Sequence, residues 1–499
     1  MKAVSKPRFL NLSHGENGGA PILLTLWNYF DFSFLLTQSG IHKDRGVPTW
    51  MLAFLYVIGL VAGCPSVLAM ASMASDDALL KRMFRNLKIG QHTLSRFLTG
   101  SYNWSLFGQK RVERLQQDQD TRLQDGDVVA LDDSQVAHPY AKMLPFLCWL
   151  YDSSQKIYTW GMNFVALHAV LRNGMEYPLS YLVWQKPEQK GDGPTKIDLA
   201  REMLLQLRNS VSCRLWVAMD RWYFCKDFFN FLTANQFDWV TKAKRNTALY
   251  RREVCPLTKK ERFVPVRPLT LIQQAFGRLC IPSSSGLVSI AIPDIYMKMP
   301  YETTNRKGKR VKKQRYTPIA AVVAMRLKED ESHELTESTV QEEEQPATFK
   351  GAYLLISNRV DAPQEALLAY TKRWRIEVFF RTAKQELGLS QCHSTTEAHH
   401  HAHFELLFAA ESLLNYALWQ ENKEKTSDDE GYTHGEMVRG LFHTRCQIHL
   451  RNHKGVQKIY VHLDTKVERF ARLIHLFWPV VIEMFWGAGY HYHYLSSSA

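Results

Sequence analysis

Cysteine is sparse in these 499 residues: eight, at 64, 148, 213, 225, 255, 280, 392 and 446, with no CxxC pair. That scatter excludes a disulfide framework and a zinc ribbon and fits a reducing compartment. No glycine-rich phosphate loop is present, so nothing points to ATP dependence. There is no internal repeat. The opening MKAVSKPRFLNLSHGENGG lacks the apolar core and small-residue cleavage site of a secretory signal, so export is not expected. Charge is missing altogether from Gly46 to Ser75, a stretch whose apolar part is long enough to test as a bilayer span. Gly59, Gly63 and Pro65 interrupt it, and it reads instead as two buried helices, one over Thr49 to Val61 and one that Pro65 starts. No membrane is expected.

What is present is ordinary in proportion and unusual in sign. Hydrophobic residues make up 45% and charged residues 22%, which suits a packed globular chain. The length calls for two to four domains. Lysine and arginine number 62 against 49 acids, a net charge of +13 that favours a polyanionic partner.

After Pro65 come short helical runs, SVLAMASMA, DDALLKRMF and QHTLSRFL, with a turn through Asn86 and Gly90. Asp76 or Asp77 can cap the middle one. The arrangement resembles a helix-turn-helix, with Gln91, His92, Thr93, Ser95 and Arg96 at the start of a recognition helix; all-α cores give similar patterns. Residues 1–125 are therefore expected to be a helical DNA-binding region. From 126 the texture changes to DVVALD, a hairpin around Asn173-Gly174, the amphipathic TKIDLAREMLLQLRN, then CRLWVAMD, KDFFNFLTAN and FDWVTKAK. This order predicts an α/β layer with a mixed sheet over 126–243. Residues 244–350 read as a β-rich insertion without a long helix. Within it seven basic residues lie between Arg306 and Arg315, including Lys309, Arg310, Lys312 and Lys313, and eight acids lie between Glu329 and Glu344. The first run suggests phosphate contacts and the second a solvated linker, although plain exposed loops would look the same. YLLIS resumes the sheet over 351–420, with one long helix from Pro363 to Leu387, and 421–499 is expected to be helical.

That long helix carries Tyr370, Arg373, Glu377, Arg381 and Lys384 at intervals of three, four, four and three, one narrow stripe at 100° per residue. Ile376, Phe380 and Trp374 supply its apolar side. Asp132 in VVALDDS and Asp220 in WVAMDRW each follow an apolar run, so three carboxylates from two strands and a helix can converge. Hard divalent cations take such oxygen ligands, and two held together can activate an attacking oxygen and stabilise a leaving one at phosphorus. Arg373 and Lys384 would hold phosphates beside them, and Tyr370 could position one.

These residues resemble the bacterial insertion-sequence transposases with a DDE active site, of the IS-four family type. Its Y-x2-R-x3-E-x6-K signature is met by Tyr370, Arg373, Glu377 and Lys384; its strand ends are met by Asp132-Asp133-Ser134 and Asp220-Arg221. The resemblance covers about residues 50–420. It implies an RNase H-like catalytic domain interrupted by the insertion. Asp132, Asp220 and Glu377 would ligate two Mg²⁺, with Mn²⁺ able to substitute. Asp133 competes for the first position, and the serine two residues after Asp132 favours Asp132. The implied reaction is metal-dependent cleavage at transposon ends and transfer of the 3′ hydroxyl into target DNA. DNA contacts fall to Tyr370, Arg373, Arg381, Lys384, Arg221, Arg96 and the four basic insertion residues. A homodimer on paired terminal inverted repeats and a cytoplasmic, nucleoid-associated bacterial protein follow. Some relatives stack a flipped base on a tryptophan in the insertion; none lies here between Trp239 and Trp374, so a tyrosine or phenylalanine would serve or no hairpin forms.

Two other readings compete: a transposase-derived DNA-binding regulator without cleavage activity, which should have lost a carboxylate, and an unrelated membrane-associated protein. His399 and His403 have i, i+4 zinc spacing beside His393, His400 and His401, yet no third ligand or HExxH glutamate accompanies them, and a polar helix start accounts for them better. His491 and His493 read as frayed surface. Trp222-Tyr223 and Phe228-Phe229 read as core rather than as base-stacking platforms.

Overall fold

The computed structural model describes residues 9–15, 17–152, 156–187, 193–276, 287–304, 309–326, 352–423, 431–439, 445–453, 456–464 and 491–495. The acidic run 329–344 lies outside them. After strand β1 (Phe9–Gly15) the chain turns helical: α1 (Ala20–Tyr29), α2 (Phe32–Gln38), α3 (Thr49–Val61), α4 (Val67–Asp76), α5 (Ala78–Met83), α6 (Gln91–Leu98) and α7 (Trp104–Gln117). The uncharged stretch is divided as its glycines and proline require. Its α3 is 13 residues long and buried almost all round, so its apolar surface is spent on neighbours. No described helix is long and apolar enough to cross a membrane. Pro65 does not start the next helix; the Ser66 hydroxyl does, accepting from the Ala69 amide at 3.1 Å. Of the two candidate caps, Asp77 holds α5, accepting from the amides of Leu79 and Leu80.

Eleven strands then form one sheet. They are β2 (Val128–Ala137), β3 (Cys148–Asp152), β4 (Ile157–Val170), β5 (Glu176–Trp184), β6 (Trp216–Met219), β7 (Asp238–Lys242), β8 (Leu249–Val254), β9 (Glu261–Val266), β10 (Leu287–Thr304), β11 (Arg310–Arg326) and β12 (Tyr353–Ser357). At its centre the order is β5-β4-β2-β6-β7, with β5, β4 and β2 antiparallel in turn and β2, β6 and β7 parallel. Helices α8 (Lys196–Ser210) and α9 (Lys226–Ala234) connect β5 to β6 and β6 to β7; α11 (Pro363–Lys372), α12 (Trp374–Gln385) and α13 (Glu397–Asn422) follow β12.

The 244–350 segment does not fold as a separate sheet. Strand β12 pairs with β7 and with β11, so β10, β11, β8 and β9 extend the same layer. It also contains a short helix, α10 (Pro268–Phe276), within the segment expected to be β-rich; proline at its first position suits a helix start. The long helix from Pro363 is two, α11 and α12, meeting at Arg373. After the short α14 (His434–Met437), the expected helical C-terminus contains strands β13 (Arg445–His453), β14 (Val456–Asp464) and β15 (His491–Leu495). These join β1 in a four-stranded sheet, so His491 and His493 belong to a paired strand rather than to frayed surface.

Strand alternation divides the main sheet into two faces. Val128, Trp216, Ala218, Val240 and Leu355 pack on one side against Ala366, Leu367, Ala369 and Tyr370 of α11. On the other side α8 and α9 bury Met203, Phe228 and Phe229, with Trp239 stacked on Phe229 at 4.1 Å. Asp132 and Asp220 continue the rows of Val128 and Trp216, so both belong to the α11 face.

Candidate active site

The parallel pairing of β2 and β6 runs Val128 with Trp216 through Leu131 with Met219. The next residues along the two chains are Asp132 and, just past the end of β6, Asp220, near enough for its charge to act on the Asp132 carboxyl. Beyond Met219 the chain turns into a 3₁₀ turn, Arg221–Tyr223, and the Trp222 amide donates to the Asp220 carboxylate at 3.2 Å. The helix junction comes down on the same point. The Arg373 guanidinium donates to Asp132 Oδ2 at 3.0 Å and to Glu377 Oε1 at 2.5 Å, tying the strand acid to the helix acid. Tyr370, one turn earlier, is buried. Lys242 ends β7 one strand beyond Asp220, its ammonium 4.1 Å from the Tyr353 ring centre and 5.4 Å from that of Tyr370.

Burial pushes the Asp132 carboxyl up to about 7, and the neighbouring charges of Asp133 and Asp220 add to it against the pull of Arg373. The Asp133 amide, donating to Asp132 Oδ1 at 2.9 Å, pulls the other way with Arg373, and burial outweighs both. Burial also lowers the Lys242 ammonium, aided by Arg373 and opposed by Asp220 and Glu377. Burial works against the Arg373 charge, but Tyr370, Asp132 and Glu377 together outweigh it.

Asp133 points to the opposite face. Its carboxylate accepts from Lys196 Nζ at 2.6 Å, Asn163 Nδ2 at 3.0 Å and Tyr223 Oη at 3.4 Å. The Lys196 ammonium lies between the Trp184 and Trp222 rings, 5.3 and 5.2 Å from their centres. The structure thus places Asp132, and not Asp133, on one face with Asp220 and Glu377.

The other residues singled out from the sequence lie more widely. Arg381 is exposed on α12, and Lys384 is half-buried with Asp152 as its acidic neighbour, so the helical stripe spreads away from the carboxylates beyond Glu377. Arg373 does not stand open to solvent as a phosphate contact would. Arg221 is exposed in the 3₁₀ turn, and Arg96 is exposed in the last turn of α6 near Lys43. Lys309 precedes β11; Arg310, Lys312 and Lys313 lie within it, paired with Thr304, Glu302 and Tyr301 of β10 on the outer reach of a long ribbon. The histidines of α13 are largely buried: Tyr56 Oη lies 2.9 Å from His403 Nδ1, and His400 Nε2 lies 2.8 Å from the Ser394 carbonyl. Tyr223, Phe228 and Phe229 are core, but Trp222 is 50% exposed. Sequence reasoning missed Lys242 and Lys196. The alternation of β7 marks Lys242 as sharing the Val240 face, whereas nothing local marks Lys196.

Carboxylates are the donor chemistry that a hard divalent cation requires, and Asp132, Asp220 and Glu377 supply them on one face. As the side chains lie, no group of three acids, histidines or cysteines among the described residues stands close enough to hold a metal ion. Arg373 occupies the position between Asp132 and Glu377.

The profile of a family described as the transposase DDE domain matches residues 123–413, from just before β2 into α13. No curated protein matches the chain.

Proposed function

The chain belongs to the transposase DDE-domain family, and from that premise we propose that it is a metal-dependent DNA transposase that cleaves at the ends of a mobile element and transfers a 3′ hydroxyl into target DNA. The observation that carries this reading is the register of β2 on β6, which sets Asp132 beside Asp220 on the face where Arg373 links Asp132 to Glu377. The strand order β5-β4-β2-β6-β7 supports an RNase H-like reading of the catalytic layer. Residues 126–243 and 351–420 would form that layer and 244–350 its insertion, with α1 to α7 as the DNA-binding region and 421–499 as a separate C-terminal portion.

In this reading Asp132, Asp220 and Glu377 would hold two Mg²⁺ or Mn²⁺ ions, whose chemistry would be activation of the attacking oxygen and stabilisation of the leaving oxygen at phosphorus. The protein's own groups prepare that site. Partial burial raises the Asp132 carboxyl, Arg373 holds Asp132 and Glu377 together, and Lys242 sets an ammonium on the same face. Tyr370 lends its ring to Lys242 and to Arg373, 5.6 Å away. Arg221, Arg381, Lys384, Arg96 and the basic ribbon would contact DNA, and pairing of two element ends would bring two copies together in the bacterial cytoplasm at the nucleoid. Retention of all three acids argues against a regulator that has given up cleavage.

Glu377→Gln tests this reading. Metal-dependent cleavage of element-end DNA should fall by about 10³-fold or more, since the variant loses an anionic ligand, with gel-shift binding nearly unchanged. Undiminished cleavage would remove Glu377 from the chemistry.

A further inference from the structure

Strand β4 outruns β2. It pairs with β2 as far as Gly161, and its remaining residues, Ile157 to Trp160, pair with the edge strand β3. On this overhang Trp149 stands opposite Trp160 and Tyr151 opposite Tyr158, with ring centres 5.3 and 5.2 Å apart. The rings are half bare: Trp149 is 56%, Tyr151 51% and Tyr158 66% exposed. They are not loose. Trp160 Nε1 donates to the Ala141 carbonyl at 2.8 Å. At Gly161 a Cβ would stand 2.2 Å from the Val136 carbonyl oxygen, so backbone contact with β2 sets the pitch of the overhang.

Two properties say what covers such a ladder. The first is its place: Ala166 pairs with Asp132, and Trp160 and Tyr158 lie further back along β4 on the same side, beyond Phe164 and Met162, which are buried, Phe164 against Phe404 of α13. Trp160 lies six residues from the Asp132 pair, about 20 Å along the strand, the length of about six base pairs of duplex at 3.4 Å each. The second is its charge, since exposed Lys142 and Lys156 flank the aromatics in a chain of net charge +13. A second copy adding a strand at β3 fits less well, because the Tyr151 carbonyl already accepts from the Gln135 amide at 3.0 Å.

We infer that Trp149, Tyr151, Tyr158 and Trp160 form a stacking platform for unpaired nucleobases of the DNA strand running away from the carboxylate site. The inference rests on the transposase reading and adds to it a binding surface outside the acids. Stacking on aromatic rings tolerates any base, so the platform recognises the single-stranded state rather than a sequence.

The test is metal-free binding of a dye-labelled oligo-dT of about 16 nucleotides and of a duplex, followed by fluorescence anisotropy at several salt concentrations. The double variant Trp149→Ala, Tyr151→Ala should bind the oligonucleotide at least tenfold more weakly, with an unchanged salt slope and duplex affinity within about twofold of wild type. The Trp149→Phe, Tyr151→Phe variant should recover most of the loss. Unchanged oligonucleotide affinity with intact duplex binding overturns the platform alone. So does loss of a concentration-dependent dimer in sedimentation with oligonucleotide affinity kept, which would make the ladder a contact between copies. Wild-type protein that binds neither DNA would overturn the transposase reading together with the platform.

Discussion

Asp132 and Asp133 are neighbours on one strand, yet the sheet puts them in opposite situations. Asp133 has an ammonium, an amide and a phenol around it, and Lys196 is itself held between two indoles. Asp132 accepts from the Asp133 amide at 2.9 Å and shares one guanidinium with Glu377; burial, with the charges of Asp133 and Asp220 added, lifts its carboxyl to about 7. A strand's period of two makes the difference: a one-residue shift sends the same side chain to the other face. An acid ringed by donors serves the fold, and one grouped with other acids is suited to take up a cation.

The widest separation between the two should appear in catalysis. Asp132→Asn should lower metal-dependent cleavage by about 10³-fold or more, as loss of a shared metal ligand does, while Asp133→Asn should cost about tenfold or less. Rates of end cleavage measured on both variants at one Mg²⁺ concentration decide it; equal losses would erase the distinction between the faces. The reverse order should hold for stability. Lys196→Met leaves Asp133 partly buried without its cation and should cost about 3 kcal/mol, read from urea denaturation, with cleavage nearly retained. If that variant is as stable as wild type, the Asp133 cluster is not a structural anchor.

Much of this was legible in order and little in orientation. WVAMD announces a strand that stops at its acid, whereas the strand begun by VVAL runs on past Asp132 to Ala137 because β4 pairs with it that far; the Asn173-Gly174 hairpin forms, with Gly174 at a φ of +88°. The spacing of Tyr370, Arg373 and Glu377 brings them to one site. What sequence leaves open is long-range. Which of Asp132 and Asp133 faces the helices depends on register against β4 and β6. The junction at Arg373, where helix meets strand acid, follows from packing that no periodicity reports. The insertion continues the main sheet because β12 pairs on both sides, a contact between residues far apart in sequence. At the C-terminus, by contrast, the strand signal is local: QIHLRN and VQKIYVHLD flank HKG as hairpin arms do, and HYHYL has strand composition.

A raised acid does not by itself identify a site, and the seam between α7 and α13 supplies the control. Glu405 is buried against Gly108, where a Cβ would stand 2.4 Å from its carboxylate, and burial lifts it to about 8 despite the charge of Arg111. Among the described residues no second acid raises it there, so its raised value is a cost of packing. A carboxyl with a folded value above its unfolded 4.5 binds its proton more tightly in the native state. Its contribution is therefore fully present below pH 4.5 and lost as pH rises towards 8. Wild type should lose on the order of 2 kcal/mol relative to Glu405→Gln across that window, since each tenfold gain in proton affinity is worth about 1.4 kcal/mol and relaxation returns part of it. Urea midpoints at several pH values, measured without metal, read this directly. Parallel pH profiles for the two proteins would mean that Glu405 is satisfied after all. A loss of cleavage in Glu405→Gln at unchanged stability would show that the seam and the carboxylate face are coupled rather than separate.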